Sequence, residues 1–150
     1  MFFIFLAFAI PISIIDIRTR RIPDILNGAC FLLVLLARLC TDPQALHLSL
    51  AAALFGFLLF FCVRLGTRGL GFGDVKFAAV IGLVCGFPGL LAAFFIAALL
   101  GIITALFFLL NDPKSKNAPL PFAPFLCAAV VITLGISPFF ANFFTFFAAD

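Results

Sequence analysis

The stretch LLAAFFIAALLGIITALFFLL, residues 90–110, carries no charged side chain. It is as long as the roughly 20 residues an α-helix needs to cross a bilayer. The rest of the 150-residue chain follows suit: 66% is hydrophobic and only 10% charged, where soluble domains carry about 45–50% and roughly 25%. With 24 Phe, no Trp and no Tyr, the composition excludes a water-soluble single core. It implies an all-α, polytopic membrane protein whose chemistry sits in the helices or in short loops.

Outward from residues 90–110, charges and Pro/Gly clusters mark five further apolar segments, about Phe2–Ile15, Ile25–Leu39, Leu46–Val63, Val75–Gly86 and Phe122–Phe140. The expectation is one transmembrane domain over residues 1–150 with about six helices. The alternative is five spans, with the fourth and fifth segments forming one re-entrant hairpin. The first and fourth segments are short for a span, and each abuts an aspartate. The Phe-rich tail, Phe139–Ala149, either prolongs the last helix or lies at the interface. Ala7-Phe8-Ala9 resembles a cleavage site, but no basic region precedes the apolar run, so the segment reads as a retained helix.

Of the nine basic residues, Arg18, Arg20, Arg21, Arg64, Arg68, Lys76, Lys114 and Lys116 fall in the first, third and fifth connections, leaving only Arg38 elsewhere. The positive-inside rule puts those connections in the cytoplasm and both termini outside. Topology thus accounts for the net charge of +3, and no nucleic-acid partner is implied. The five cysteines lie singly, without a C-x-x-C pair, and indicate neither a disulfide framework nor a zinc site.

There is no Glu, so the acids are Asp16, Asp24, Asp42, Asp74, Asp112 and Asp150. Asp112 reads as a solvated turn residue, Asp42 before Pro43 as a helix-ending turn or cap, and Asp150 is the last residue. Asp16 directly follows an apolar run at the membrane boundary, where a carboxylate is costly and a functional role is the default; an ion pair with Arg18, Arg20 or Arg21 is the structural alternative. Asp74 follows Gly69-Leu70-Gly71-Phe72-Gly73 and would serve as an N-cap, yet so many glycines exceed a cap's needs and permit close backbone approach. Two carboxylates within about 3 Å share a proton and titrate as a pair, the aspartic-protease arrangement. The one histidine, His47, reads as an exposed loop residue, which leaves a Ser-His protease or a histidine metal site without partners.

Three segments then resemble the signature of type IV prepilin peptidases: Asp16-Ile17-Arg18-Thr19-Arg20-Arg21-Ile22-Pro23-Asp24, Gly71-Phe72-Gly73-Asp74-Val75-Lys76, and residues 116–126 around Pro121-Phe122-Ala123-Pro124-Phe125. The resemblance implies an aspartic endopeptidase of the bacterial inner membrane that removes the basic leader of type IV prepilins or type II secretion pseudopilins at the cytoplasmic face. Asp16 and Asp74 match the catalytic pair. Pro23, Asp24, Gly71, Gly73, Lys76, Pro121, Phe122 and Pro124 would bind substrate or support the pair. Membrane lipid is the other expected partner, a homodimer is left open, and no metal or cofactor is expected. Ala123 stands where the family usually has Gly, which puts the substrate groove in question. Full-length members add an N-terminal region with paired C-x-x-C motifs associated with N-methylation. This sequence resembles the short, peptidase-only form, so methyl transfer is not expected. A proton-relay or transport subunit, and a catalytically inactive assembly subunit, are the alternatives.

Overall fold

The computed structural model describes residues 2–19, 22–66, 70–111 and 122–147, with the backbone alone for Phe2 and residues 136–147. The expectations placed on Arg20, Arg21, Arg68, Gly69, Asp112, Lys114, Lys116, Pro121 and Asp150 fall outside the described residues. Among the described residues the helical elements are, in order, α1 Phe2–Thr19, α2 Asp24–Thr41, α3 Leu46–Gly66, α4 Phe72–Asn111, which holds two helices joined at Gly86, and α5 Ala123–Phe147. Three of them, α2, α3 and α4, are long and apolar enough to cross a membrane. Large apolar side chains such as Phe95, Ile102, Leu106 and Leu110 stand exposed along α4, a surface suited to lipid rather than water.

The two helices that abut an aspartate extend beyond their apolar segments by taking in polar flanking residues. The first helix continues past Ile15 to Thr19, whose hydroxyl bonds back to the Ile15 carbonyl at 2.9 Å, so Asp16 lies inside the last turns rather than after them. The fourth begins at Phe72, not Val75, because a residue with a short acidic side chain can close the first turn on itself, as described below. The Phe-rich tail prolongs the last helix to Phe147.

The fourth and fifth apolar segments form two helices, the two arms of α4, joined at a kink. Only Gly86 leaves helical geometry, at φ 66° and ψ −176°, a backbone conformation open to glycine, with Pro88 close behind. Both arms of α4 lie along α3, in opposite directions. On the first arm, Gly82 meets the backbone of Ala52, a Cβ on Gly56 would come within 2.8 Å of the Ala78 carbonyl, and Phe57 meets Phe72 at 6.4 Å between ring centroids. On the second, Phe55 pairs with Phe87 at 4.8 Å and Phe60 with Phe94 at 4.3 Å. The chain therefore turns back on itself at Gly86.

Small residues explain the first contact. Ala52 and Gly56 face Ala78 and Gly82, each pair four residues apart, and this spacing lets helix backbones touch where lipid supplies no hydrophobic drive to associate. The first arm is buried nearly all round, with Val75, Phe77, Ala78, Val80, Ile81 and Leu83 inaccessible. A helix apolar on every side belongs in the middle of a bundle. Its N-terminal turn carries Asp74.

Candidate active site

Asp16, on α1, is 5% exposed, and its Oδ2 accepts a hydrogen bond from the Ala123 backbone N–H at 3.0 Å. That amide is the first of α5, where helix geometry leaves N–H groups unpaired and the dipole favours an anion. Phe122 and Pro124 flank it. The Phe122 carbonyl receives the Phe125 and Leu126 amides, and Pro124 sits in the first turn, where a missing N–H costs nothing. Ala123 is itself buried, so its methyl group is accommodated while its N–H still reaches the carboxylate. Asp16 makes no ion pair with Arg18 among the described residues.

Asp74 is 9% exposed. It occupies the third position of α4, and its Oδ2 accepts from the Gly71 N–H at 3.1 Å, the backward arm of a capping box. An N-cap was the structural alternative for Asp74 in the sequence; the structure gives that place to Gly71 and lets Asp74 reach back. Capping uses one oxygen only. Asp74 Oδ1 is buried without a hydrogen-bond partner among the described residues.

The two carboxylates line one cavity of about 550 Å³ together with Ile22, Pro23, Asp24, Gly71, Phe72 and Gly73. Of the residues singled out from the sequence, Pro23, Asp24, Gly71 and Gly73 thus join the aspartates. Lys76 reaches the rim, pairing with Asp24 at 2.7 Å, and both ends of this ion pair are solvent-exposed in part. Phe122 packs on Phe60, ring centroids 6.1 Å apart, and the described part of the third signature segment reaches Asp16 through the Ala123 amide. Pro121 lies outside the described residues.

Several contacts fix the segment before Asp74. A Cβ on Gly73 would stand 2.7 Å from the Ile22 Cβ, so only glycine lets the first connection pack there. Arg64 donates to the Leu70 carbonyl at 2.7 Å, and Arg64 and Lys76 both stack on the Phe72 ring, 5.5 and 5.0 Å from its centroid. Asn27 donates from Nδ2 to the Gly73 carbonyl at 3.1 Å. Sequence reasoning overlooked Asn27 and Arg64. A polar amide in the apolar run after Asp24 was the signal for the first; no local pattern marks the second. His47 is exposed as expected, but on the first turn of α3 rather than in a loop.

The model of the type IV leader peptidase family matches residues 3–106, a stretch that includes both aspartates of the cavity. The chain belongs to the type IV leader peptidase family. Among its relatives, leader peptidase HopD of Salmonella typhimurium is 36% identical over 145 residues, covering 88% of this chain and 90% of that protein. The prepilin leader peptidase/N-methyltransferase of Bacillus subtilis is 32% identical over 130 residues, 86% of this chain and 52% of the relative. The Escherichia coli K12 protein of the same name is 31% identical over 139 residues, 89% and 61% respectively. The chain spans about half the length of most prepilin leader peptidase/N-methyltransferases it matches. No solved structure matches it. Family membership thus stands beside three helices long and apolar enough to cross a membrane.

Proposed function

We propose that the chain is an aspartic endopeptidase that removes the basic leader of type IV prepilins or type II secretion pseudopilins, with Asp16 and Asp74 as its catalytic pair. One observation carries the reading: two buried carboxylates, delivered by different helices, line the same cavity, and one oxygen of Asp74 has no partner. The ionised member takes a proton from a water, whose oxygen attacks the scissile carbonyl carbon. Its protonated neighbour hydrogen-bonds the carbonyl oxygen and shifts its proton there as the tetrahedral intermediate forms. Collapse of that intermediate breaks the C–N bond, and the proton taken from water passes to the leaving amine. The amides of Ala123 and Gly71 orient the carboxylates throughout.

Asp24, with its side chain 69% exposed at the cavity rim, is placed to meet the basic leader, with Pro23 setting its loop. Gly71 leaves room for an extended substrate backbone and Gly73 lets Ile22 pack beside Asp74, while Lys76, Phe122 and Pro124 support the walls. A relay of protons across the bilayer would call for acids at different depths, whereas Asp16 and Asp74 share one end of the bundle. Arg18, Arg64 and Lys76 lie at that same end, which supports a cytoplasmic orientation of the cavity in the bacterial inner membrane.

Two measurements test this. Purified protein is expected to cleave a synthetic prepilin, and Asp16→Asn and Asp74→Asn each to abolish cleavage; activity retained in either would remove the aspartate pair from the mechanism. A cysteine introduced at position 68 is expected to resist a membrane-impermeant thiol reagent in intact cells that lack competing exposed cysteines. Labelling from outside would reverse the orientation.

A further inference from the structure

Asn27 is 2% exposed, on a helix that is otherwise apolar for most of its length. Burying an amide in such a helix is costly unless its polar atoms are matched. Here only half of it is: Nδ2 donates to the Gly73 carbonyl at 3.1 Å, 46 residues away in the chain, and Oδ1 is buried with no partner. Stability alone is a poor reason for a half-satisfied amide, since an apolar residue of similar size would avoid the cost.

The bond's target supplies a better one. The Gly73 carbonyl belongs to the peptide plane that continues into the Asp74 backbone nitrogen, so fixing that carbonyl fixes the plane from which the Asp74 side chain departs. Asp74 itself is held at one oxygen by the Gly71 amide, within the same short segment. That segment is the N-terminal turn of α4, and its glycines at 71 and 73 put no side chain of their own into the packing that holds it. Ile22 blocks it from one side by contact with Gly73. Asn27 is the one hydrogen-bonding side chain that reaches the Gly73–Asp74 peptide plane from another helix among the described residues. We propose that Asn27 is a positioning residue: through the Gly73 carbonyl it sets the direction in which the Asp74 carboxylate leaves the backbone beside the cavity. The proposal rests on the reading of Asp74 as catalytic.

The test is steady-state cleavage of a synthetic prepilin by the purified full-length chain and by Asn27→Leu, Asn27→Gln and Asp74→Asn, each with its thermal midpoint. Leu removes the donor and keeps the volume; Gln keeps an amide donor. A misdirected catalytic group costs rate rather than binding, by up to about a hundredfold for a displacement near 1 Å. Asn27→Leu is therefore expected to lower kcat about 10- to 100-fold with KM within about twofold, and Asn27→Gln to recover part of kcat. If Asn27→Leu does not fold, Asn27→Ser, whose hydroxyl is too short to span the gap, takes its place under the same criteria. An unchanged kcat, an effect confined to KM, a loss that only tracks the thermal midpoint, or a Gln variant no better than Leu would each overturn the positioning role. Cleavage surviving in Asp74→Asn would overturn the catalytic assignment instead, whatever Asn27 does. Cleavage lost there but intact in Asn27→Leu would overturn the positioning role alone.

Discussion

The two ends of the bundle are built by opposite means. At the cavity end, the decisive bonds join residues far apart in the chain: Ala123 to Asp16 across 107 residues, and Asn27 to Gly73 across 46. At the other end, an α2 length of about 27 Å away, the connection is local. Asp42 closes α2 by donating its N–H to the Arg38 carbonyl at 2.9 Å, and its Oδ1 accepts the Ala45 amide at 3.2 Å ahead of α3. Among the described residues, the side-chain hydrogen bond from Arg38 Nε to Ser49 Oγ there, at 3.0 Å, spans 11 residues. A local turn forms from its own residues and needs little else. A cavity assembled from distant segments exists only once the helices have packed, and its geometry depends on contacts that no single segment encodes.

Substitutions can break this contrast. The largest effect is expected from Asp16→Asn and Asp74→Asn: cleavage falls below detection while the thermal midpoint holds, because each variant keeps a carbonyl oxygen to accept the Ala123 or Gly71 amide. Next comes Gly73→Val at the same end. Its Cβ would fall 2.7 Å from the Ile22 Cβ, and overpacking of this kind costs about 1–3 kcal/mol. Cleavage is expected to drop by more than the stability loss explains, because Asp74 is the next residue; a loss in melting temperature with unchanged kcat would separate the packing from the site. The smallest effect belongs to the far end. Asp42→Ala removes a cap-like acceptor, costs about 0.5–2 kcal/mol, and leaves kcat and KM as they were. A change in kcat there would mean that the ends are coupled.

Much of the molecule was legible in its residues. Hydropathy marked the apolar segments, and Gly86 followed by Pro88 marked the break between the fourth and fifth, since both signals are local. Asp42 before Pro43 read correctly as a helix-ending turn for the same reason. Asp16 and Asp74 stood out because a carboxylate beside an apolar run is costly wherever the run ends up, and Asp24, Gly71 and Gly73 came with them by position in the signature segments. Near both aspartates the helices run a few residues past their apolar segments, so that Asp16 is carried within the last turns of α1 and Asp74 closes the first turn of α4 from its third position.

Sequence by itself determined that this chain is a bundle of apolar helices with a short list of acids at their ends. Only the tertiary structure decided that the first arm of α4 is the central helix, that both arms run along α3, that the Ala123 amide reaches Asp16, and that Asn27 grips the carbonyl before Asp74. The reason lies in the solvent. Against lipid, an apolar face is equally at ease buried or exposed, so hydropathy does not choose which helix goes inside. Close approach between small residues such as Ala52, Gly56, Ala78 and Gly82 makes that choice, and the partners of the two aspartates follow from it.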